Sequence, residues 1–309
     1  MLLRFLGSVG VIGFAAASLV AAGHVSMPDQ AKGPTFDSAR AWEHLKAMVD
    51  LGPRPSGSAA LRQTRAYITR QVAAMNLTVQ EQTFTATTPV GAVEMTNLIV
   101  TLPGQRTDRV LFTGHYDTKI FKDIRFVGAS DGASSGAFLI ELLRALKDQP
   151  REFTYEFVWF DGEEAVAAWD LNTDSTYGSR FYVQQGRKAG TLSQIKALIL
   201  VDMIGSKSLK IERDSYSAGW LNAIVWATAK RLGHSSKFVD VDTTIEDDHL
   251  HFVRAGIPSI DLIDLNNYNA LGHWHTASDS LENVSAASLQ VVGDVLLAAL
   301  PDIVAYLRK

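Results

Sequence analysis

The sequence predicts an α/β fold: one domain with a mostly parallel, mixed central sheet and helices on both of its faces. Short, nearly unbroken apolar runs recur along the chain, and stretches with helical periodicity separate them. Strands that are apolar on both faces and alternate with helices are typical of a parallel sheet covered on both sides. Beyond residue 35, no linker, repeat or low-complexity tract divides the 309-residue chain, which predicts a single domain.

The N-terminal residues have the pattern of a secretory signal peptide. A single positive charge precedes an apolar run that ends in small residues, with cleavage expected near Ala22 or Gly23. We therefore predict a signal peptide at 1–23, a polar tether at 24–35 and a folded domain at 36–309, in a secreted or periplasmic protein. An uncleaved membrane anchor is the alternative, because the run approaches the length of a transmembrane helix.

Composition excludes several classes of protein. The formal net charge is −4 and the basic residues are scattered, whereas a nucleic-acid-binding protein would show a basic stripe. The chain contains no cysteine, which excludes a lipoprotein anchor, a disulfide framework and a thiol nucleophile. Any zinc site must therefore use histidine and carboxylate ligands.

Two helices and two strands come first in the predicted domain. Helical periodicity covers residues 36–51 and 58–75, and the breaker GPRPSGS separates them. The segments 77–86 and 93–102 alternate polar and apolar residues, which predicts strands toward an edge of the sheet.

The central strands and their helices follow. The apolar runs lie at 109–115, 155–160, 197–205 and 257–263, and the helical patterns at 132–146, 177–188, 218–232 and 287–307. In sheets of this kind, ligands bind beyond the carboxyl ends of the strands. We therefore expect the functional residues where these runs end.

Acids and imidazoles lie at or after the ends of these runs. They are His115, Asp117, Asp131, Glu163, Glu164, Asp202, Asp261, Asp264, His273 and His275. Taken singly, Asp131 has an alternative role as the N-cap of the next helix, and His115 has one as a hydrogen-bonded core histidine. We expect His249, His251 and His273 on solvent-exposed loops.

Together these residues indicate a metal site. A buried carboxylate without a partner is costly, and Asp202 lies in an otherwise apolar strand. A divalent cation would offset several acids at once, and zinc accepts both imidazole nitrogen and carboxylate oxygen. Glu163 and Glu164 are adjacent and point in opposite directions on extended chain, so one can bind metal while the other faces substrate as acid or base.

Motifs in the chain resemble a known family. GHYDTK, ASDGASSGA, FDGEEA, VDMIG and HWHT, in this order, resemble the M28 zinc-peptidase superfamily. DGEEAVAAWD, DSTYGSR, EDDHLHFVRAGIP and WHTASDSLENV are similar to the zinc-dependent glutaminyl-peptide cyclotransferases of animal type, the glutaminyl cyclases. The resemblance extends from about residue 36 to the C-terminus.

The resemblance implies a role for each matching residue. The implied zinc ligands are Asp131, Glu164 and His275. The implied catalytic acids are Glu163, Asp202 and Asp247, and the implied substrate-pocket residues are Trp169, Trp274 and Asp261. His115 and Asp117 would bind a second metal ion or lie behind the ligands. One zinc ion per chain is expected. Glu163 would be the general acid and base, and Asp202 and Asp247 would stabilise the reacting amide nitrogen.

The chain departs from the animal pattern at two places. Asp261 stands where animal enzymes have a histidine that is hydrogen-bonded into the acidic network, so we expect one neighbouring carboxyl group to be protonated at neutral pH. Gly114 and Gly136 stand where animal enzymes have a disulfide pair. Other packing must therefore hold the helix that follows Asp131 against its strand.

The implied function is conversion of N-terminal glutamine in peptides and proteins to pyroglutamate, with release of ammonia. We expect a monomer that does not bind nucleic acid. We also expect that it does not insert stably into a membrane once the signal peptide is removed. The alternative is a two-zinc M28 aminopeptidase, whose ligands would be His115, Asp131, Glu164, Asp202 and His275. A noncatalytic binding module is a third hypothesis, against which the complete ligand set argues. Trp169, Trp274 and the segment DSTYGSR favour the cyclase.

Overall fold

Six strands form the central sheet of the computed structural model, which describes residues 1–3, 6–7, 10 and 33–309. Most of the predicted signal peptide, and the tether up to residue 32, lie outside the described residues. The chain divides into Met1–Gly33, of which few residues are described, and Pro34–Lys309. The second unit contains every helix and strand named below.

The elements have the following bounds. The helices are α1 Ser38–Asp50, α2 Ala59–Ala74, α3 Ala133–Leu146, α4 Tyr177–Ala189, α5 Gly219–Arg231, α6 His249–Val253, α7 Leu265–Ala270 and α8 Ala286–Leu307. The strands are β1 Gln80–Thr88, β2 Gly91–Leu102, β3 Arg106–His115, β4 Phe153–Phe160, β5 Ile195–Asp202, β6 Ile211–Asp214, β7 Phe238–Thr243 and β8 Ser259–Ile263.

The sheet has the order β1-β2-β4-β3-β5-β8. The neighbours β4, β3, β5 and β8 are parallel, whereas β1 and β2 pair antiparallel at one edge. The predicted fold class is therefore confirmed, as is the edge position of the first two strands. Because the four parallel strands run in one direction, their carboxyl ends meet at one side of the sheet.

Each central strand supplies two hydrophobic cores. In β3, Val110 and Phe112 belong to the core beneath α1, α3, α5 and α8, whereas Leu111 belongs to the core beneath α4 and α6. Alternate residues of β4 and β5 divide in the same way. This explains why the strands appear in the sequence as unbroken apolar runs.

Close packing joins α3 to the sheet at the positions where animal enzymes have a disulfide. A Cβ atom on Gly114 would lie 2.7 Å from Cβ of Ser135, so glycine lets the helix approach β3. The Ser135 hydroxyl donates a hydrogen bond to the His115 carbonyl oxygen at 3.1 Å. The Trp159 indole N–H donates to the Gly136 carbonyl oxygen at 2.9 Å. These contacts supply the packing that the missing disulfide requires.

Two short strands and two short α-helices were not predicted. β6 and β7 form a separate two-stranded parallel sheet, and α6 and α7 have 5 and 6 residues. Segments this short do not complete enough turns to show periodicity. Among the described residues, α8 has the length and apolar composition to cross a membrane, and 56% of its most apolar window is buried within the protein.

Candidate active site

The carboxyl ends of β3, β4 and β5 place buried acids and an imidazole side by side. β3 ends at His115, β5 ends at Asp202, and Glu163 and Glu164 follow the end of β4. Asp131 lies directly before α3, on a loop packed against the same edge. All five side chains are buried. The gathering of acids predicted at this edge is therefore present.

Asp131, Glu164 and His275 form a group spaced for a metal ion. The His275 Nε2 atom lies 3.4 Å from Asp131 Oδ2 and 3.4 Å from Glu164 Oε1. In a tetrahedral zinc site, with bonds of about 2.1 Å, two ligand atoms are about 3.4 Å apart. Within the part of the chain that the structure describes, these same two buried oxygens have no hydrogen-bond partner. The three residues therefore fit a zinc ion.

His115, Asp131 and Asp202 form a second group of suitable composition. Here His115 Nε2 lies 3.0 Å from Asp202 Oδ1 and 3.2 Å from Asp131 Oδ1, which are hydrogen-bond distances. The other ring nitrogen lies 3.4 Å from Asp117 Oδ1. His115 is thus already paired with carboxylates, as the alternative of a hydrogen-bonded core histidine expected. The atoms of this second group lie closer together than those of Asp131, Glu164 and His275.

Asp117 fixes the backbone of both glutamates. Its two carboxylate oxygens accept hydrogen bonds from the N–H groups of Glu163, at 3.2 Å, and Glu164, at 3.3 Å. These contacts hold the chain after β4 so that the two side chains line one cavity. Asp117 therefore lies behind the glutamates, with 1% of its surface exposed.

A cavity of about 420 Å³ opens beside the first metal group, within the usual size range of small-ligand pockets. Its polar lining includes Asp131, Glu163, Glu164, Asp202, Asp247 and His275, and its apolar lining includes Trp169, Met203, Ile245, Ile263, Leu265 and Trp274. The Trp274 ring stacks on His275 with centroids 4.2 Å apart. Trp169 is exposed at the rim. Both tryptophans expected at the substrate pocket thus line this cavity.

Residues 97–300 match peptidase family M28. The chain belongs to this family. A solved glutaminyl cyclase from an Acidobacteriales bacterium is 37% identical, with a TM-score of 0.83 over 90% of this chain and 98% of its own. The glutaminyl-peptide cyclotransferase-like protein of Mus musculus is 29% identical over 298 residues, which are 86% of this chain and 76% of that protein. The predicted resemblance is therefore confirmed.

The M28 fold is also found in peptidases. A leucine aminopeptidase precursor from Bacteroides thetaiotaomicron is 25% identical and has a TM-score of 0.77 over 87% of this chain and 98% of its own. Fold similarity alone therefore leaves the two-zinc alternative open. The distances between ligand atoms differ between the two groups: they are 3.4 Å from His275 to its acids, and 3.0 and 3.2 Å from His115 to its acids.

Burial gives Glu163 of this M28 protein a weak tendency to ionise. Removal from water raises its pKa well above the ordinary range, and the charges of Glu164, Asp247 and Asp248 raise it further, although His115 opposes the shift. Burial likewise raises the pKa of Asp247. The cavity floor therefore contains carboxyl groups that hold protons readily.

Asp131, one of the implied zinc ligands, has the opposite tendency. At Asp131, burial favours the protonated acid, but His115 and His275 outweigh it and lower the pKa. Burial lowers the pKa of His275, but the carboxylates of Asp131 and Glu164 outweigh this effect and raise the pKa to about 9. Asp131 therefore ionises readily, whereas burial raises the pKa of Glu164, the ligand next to Glu163 in the chain.

The alternative role of Asp131 as an N-cap is excluded, and the expectation that His249 and His251 lie on solvent-exposed loops is wrong. Asp131 does not cap α3, because Gly132 occupies the cap position and the Asp131 carboxylate faces the imidazoles. His249 is not on a wet loop: it is fully buried in α6, and its Nε2 lies 3.1 Å from Asp214 Oδ2. His251 is also in α6, where its Nε2 lies 2.8 Å from Thr176 Oγ1. The sequence could not show these partners because they are distant along the chain.

Asp261, expected in the substrate pocket, lies behind it. Its side chain is fully buried and is absent from the cavity lining among the described residues, with Oδ2 3.8 Å from His249 Nδ1. This position argues against direct contact with substrate. Burial and the charge of Asp247 raise its pKa well above the ordinary range, in line with the expected protonated carboxyl group.

Sequence reasoning missed two features of the site. Lys119 lines the cavity with Nζ 3.8 Å from Glu164 Oε2, and the motif GHYDTK that contains it was the available signal. His275 and Met203 adopt left-handed backbone conformations, with φ of +54° and +48°. Such strain in non-glycine residues clusters at functional sites, and nothing in the sequence reports it.

Proposed function

We propose that this chain is a zinc-dependent glutaminyl-peptide cyclotransferase, which converts the N-terminal glutamine of peptides and proteins to pyroglutamate and releases ammonia. The observation that carries the proposal is the difference between the two ligand groups. Asp131, Glu164 and His275 have metal spacing and unpartnered oxygens, whereas His115 is within hydrogen-bond distance of its acids. One metal position agrees with cyclase chemistry, and the 37% identical relative is a glutaminyl cyclase.

The three ligand residues would hold the ion at the floor of the cavity. Zinc, when bound, supplies Lewis-acid polarisation of the glutamine γ-carbonyl. The ligand set leaves room for a fourth ligand on the cavity side, since the protein offers three donor atoms there.

The protein's own residues position the substrate and transfer protons. In the reaction the α-amine nitrogen bonds to the side-chain carbonyl carbon, and the bond from that carbon to the amide nitrogen breaks. Glu163 would accept the proton that the amine loses and deliver it to the departing ammonia. Trp169 and Trp274 would hold the folded glutamine between apolar walls, so that the five-membered ring forms intramolecularly.

Asp202 and Asp247 would stabilise the reacting nitrogen. Both line the cavity, and both are at least 95% buried. Burial raises the pKa of Asp247, so its carboxyl group holds a proton readily and would form a hydrogen bond with the amide nitrogen as the amide bond breaks. Asp202 is already hydrogen-bonded to His115 and so remains fixed during turnover.

A paired assay tests the function. Purified protein with zinc is supplied with a glutaminyl and a leucyl reporter peptide, and ammonia and free leucine are measured. We expect ammonia and pyroglutamate from the first peptide and no leucine from the second. Release of leucine without pyroglutamate would favour the aminopeptidase alternative.

We also propose that the protein acts outside the cytoplasm, as a monomer, on free N-termini. The support is the signal-like segment at 1–23. N-terminal sequencing of protein recovered from the periplasm or medium should begin near residue 23 or 24. An intact Met1 on membrane-bound protein would favour the uncleaved anchor instead.

A further inference from the structure

Asp279, in the motif WHTASD, has no role in the chemistry above, yet its carboxylate is fully buried beside the metal ligands. Its Oδ1 accepts hydrogen bonds from the Ser130 N–H at 2.7 Å and from the Tyr268 hydroxyl at 2.7 Å. Its Oδ2 accepts one from the N–H of the ligand Asp131 at 3.1 Å. Three donors therefore converge on one side chain.

The same residue ends the turn that carries His275. The Asp279 N–H donates to the Thr276 carbonyl oxygen at 3.1 Å, and the Thr276 N–H donates to the His273 carbonyl oxygen at 3.2 Å. The Asp279 carbonyl oxygen in turn accepts from the Ala129 N–H at 3.4 Å. Asp279 thus joins the loop that carries Asp131 to the turn that carries His275.

We propose that Asp279 is a positioning residue that sets the distance between the metal ligands Asp131 and His275. Neither ligand lies in a long helix or strand that would fix it otherwise: one precedes α3 and the other follows α7. His275 also has a left-handed backbone, which persists only where the surroundings determine it strongly. This inference rests on the proposed function only in taking the bound ion to be zinc.

A carboxylate suits this position better than an amide. Both oxygens of Asp279 accept hydrogen bonds here, whereas asparagine offers one acceptor oxygen and an NH₂ group that would face an N–H donor. The buried Arg54 guanidinium supplies nearby positive charge, and it donates to the carbonyl oxygens of Val127, at 2.8 Å, and Gly128, at 3.1 Å. Arg54 therefore holds the beginning of the loop whose end Asp279 holds.

The test measures zinc affinity of the full chain by competition with a chelator, together with urea unfolding of the metal-free protein. Residues that orient metal ligands typically contribute 10–100-fold to metal affinity. We expect Asp279→Asn to weaken zinc binding about 10–100-fold, with turnover restored by excess zinc. The matched control Tyr268→Phe removes one donor but leaves both backbone contacts, and should change the affinity less than about threefold.

A second variant keeps the test decisive if Asp279→Asn does not fold. Asp279→Glu retains both oxygens and the charge but moves them by one methylene group. We expect it to weaken zinc binding at least fivefold while the metal-free protein unfolds at a near-native urea concentration. Native zinc affinity in these variants, or equal losses in Asp279→Asn and Tyr268→Phe, would overturn the proposal. Tight zinc binding without cyclisation would instead count against the proposed function alone.

Discussion

Glu163 and Glu164 are neighbours in the chain with different surroundings. Glu164 Oε1 lies 3.4 Å from His275 Nε2, whereas Glu163 Oε2 lies 3.9 Å from His115 Nδ1. The charges of Asp247 and Asp248, which precede α6, also act on Glu163. Because Glu163 is buried among like charges, its carboxyl group can hold a proton and release it again, as general acid–base catalysis requires. The roles of the two glutamates therefore follow from what each side chain contacts.

Replacing Glu163 with Gln should remove turnover but not metal. The amide cannot accept the amine proton, so we expect kcat to fall about 10²–10⁴-fold with bound zinc unchanged. Steady-state ammonia release and metal analysis measure the two quantities. Glu282→Gln, the same change at an exposed position, is the control and should retain the wild-type rate. A near-normal rate in Glu163→Gln would remove this residue from the mechanism.

The sequence predicted which residues form this site better than it predicted how they are arranged. Acids at the ends of apolar runs pointed to Glu163, Glu164 and Asp202, because the carboxyl ends of parallel strands must meet. The choice of ligands came from the resemblance. The position of Asp261 behind the cavity could not be predicted, because it depends on contacts with α6, an element too short to show in the sequence.

At the scale of elements, the contact between α3 and β3 is close enough to require glycine. Gly114 lies against both Ser135 Cβ and the Val201 carbonyl oxygen, where a Cβ would meet them at 2.7 and 2.9 Å. The position of α3 matters for the site because Asp131 directly precedes this helix. Packing density at this contact therefore links stability to ligand geometry.

Gly114→Ala should destabilise the protein by about 1–3 kcal/mol, since an added methyl group in a packed core displaces its neighbours. Urea unfolding of the metal-free protein measures the change. Gly219→Ala is the matched control, because a Cβ there meets nothing within 4 Å and alanine favours the α5 helix. Equal unfolding midpoints for the two variants would contradict the packing argument.

Asp161 connects three segments of the chain beside the site. Its Oδ1 accepts from the Ser56 hydroxyl at 2.6 Å, and its Oδ2 accepts from the Thr96 N–H in β2 at 2.8 Å. Burial, with the charge of Asp117 as a smaller cause, raises its pKa to about 7. The folded protein therefore binds a proton that the unfolded chain, with a pKa of 3.8, releases earlier.

This shift predicts a contribution to stability that depends on pH. Because the folded state binds more protons between about pH 4 and pH 7, the free energy of unfolding should fall as the pH rises through that window. Asp161→Asn cannot titrate, so its unfolding midpoint should change less between pH 5 and pH 8. Asp302→Asn, at an exposed position of α8, is the control and should follow the wild type. A wild-type slope in Asp161→Asn would contradict the raised pKa.

Long elements were predictable from periodicity and short ones were not. The predicted helix at 132–146 is observed as α3, Ala133–Leu146, and the predicted strand at 155–160 lies within β4, Phe153–Phe160. These segments are long enough for their helical periodicity or continuous apolar run to indicate the secondary structure. β6, β7, α6 and α7 depend on tertiary contacts instead, and α6 is where the expected exposed histidines are found.

At the scale of the molecule, one arrangement explains both the fold and the site. Four parallel strands with helices on both faces bury the sheet, and the same direction of all four places their polar ends at one edge. The acids there are costly to bury unless a cation offsets them. The fold thus concentrates the charge that the proposed zinc ion would neutralise.

The most direct test of this account is the number of zinc ions bound per chain by the active wild-type protein, with His275→Ala measured beside it. The account predicts one zinc per chain, together with ammonia release, and no tightly bound zinc in the variant. Two zinc ions per wild-type chain, or full zinc retention in His275→Ala, would contradict the single site formed by Asp131, Glu164 and His275.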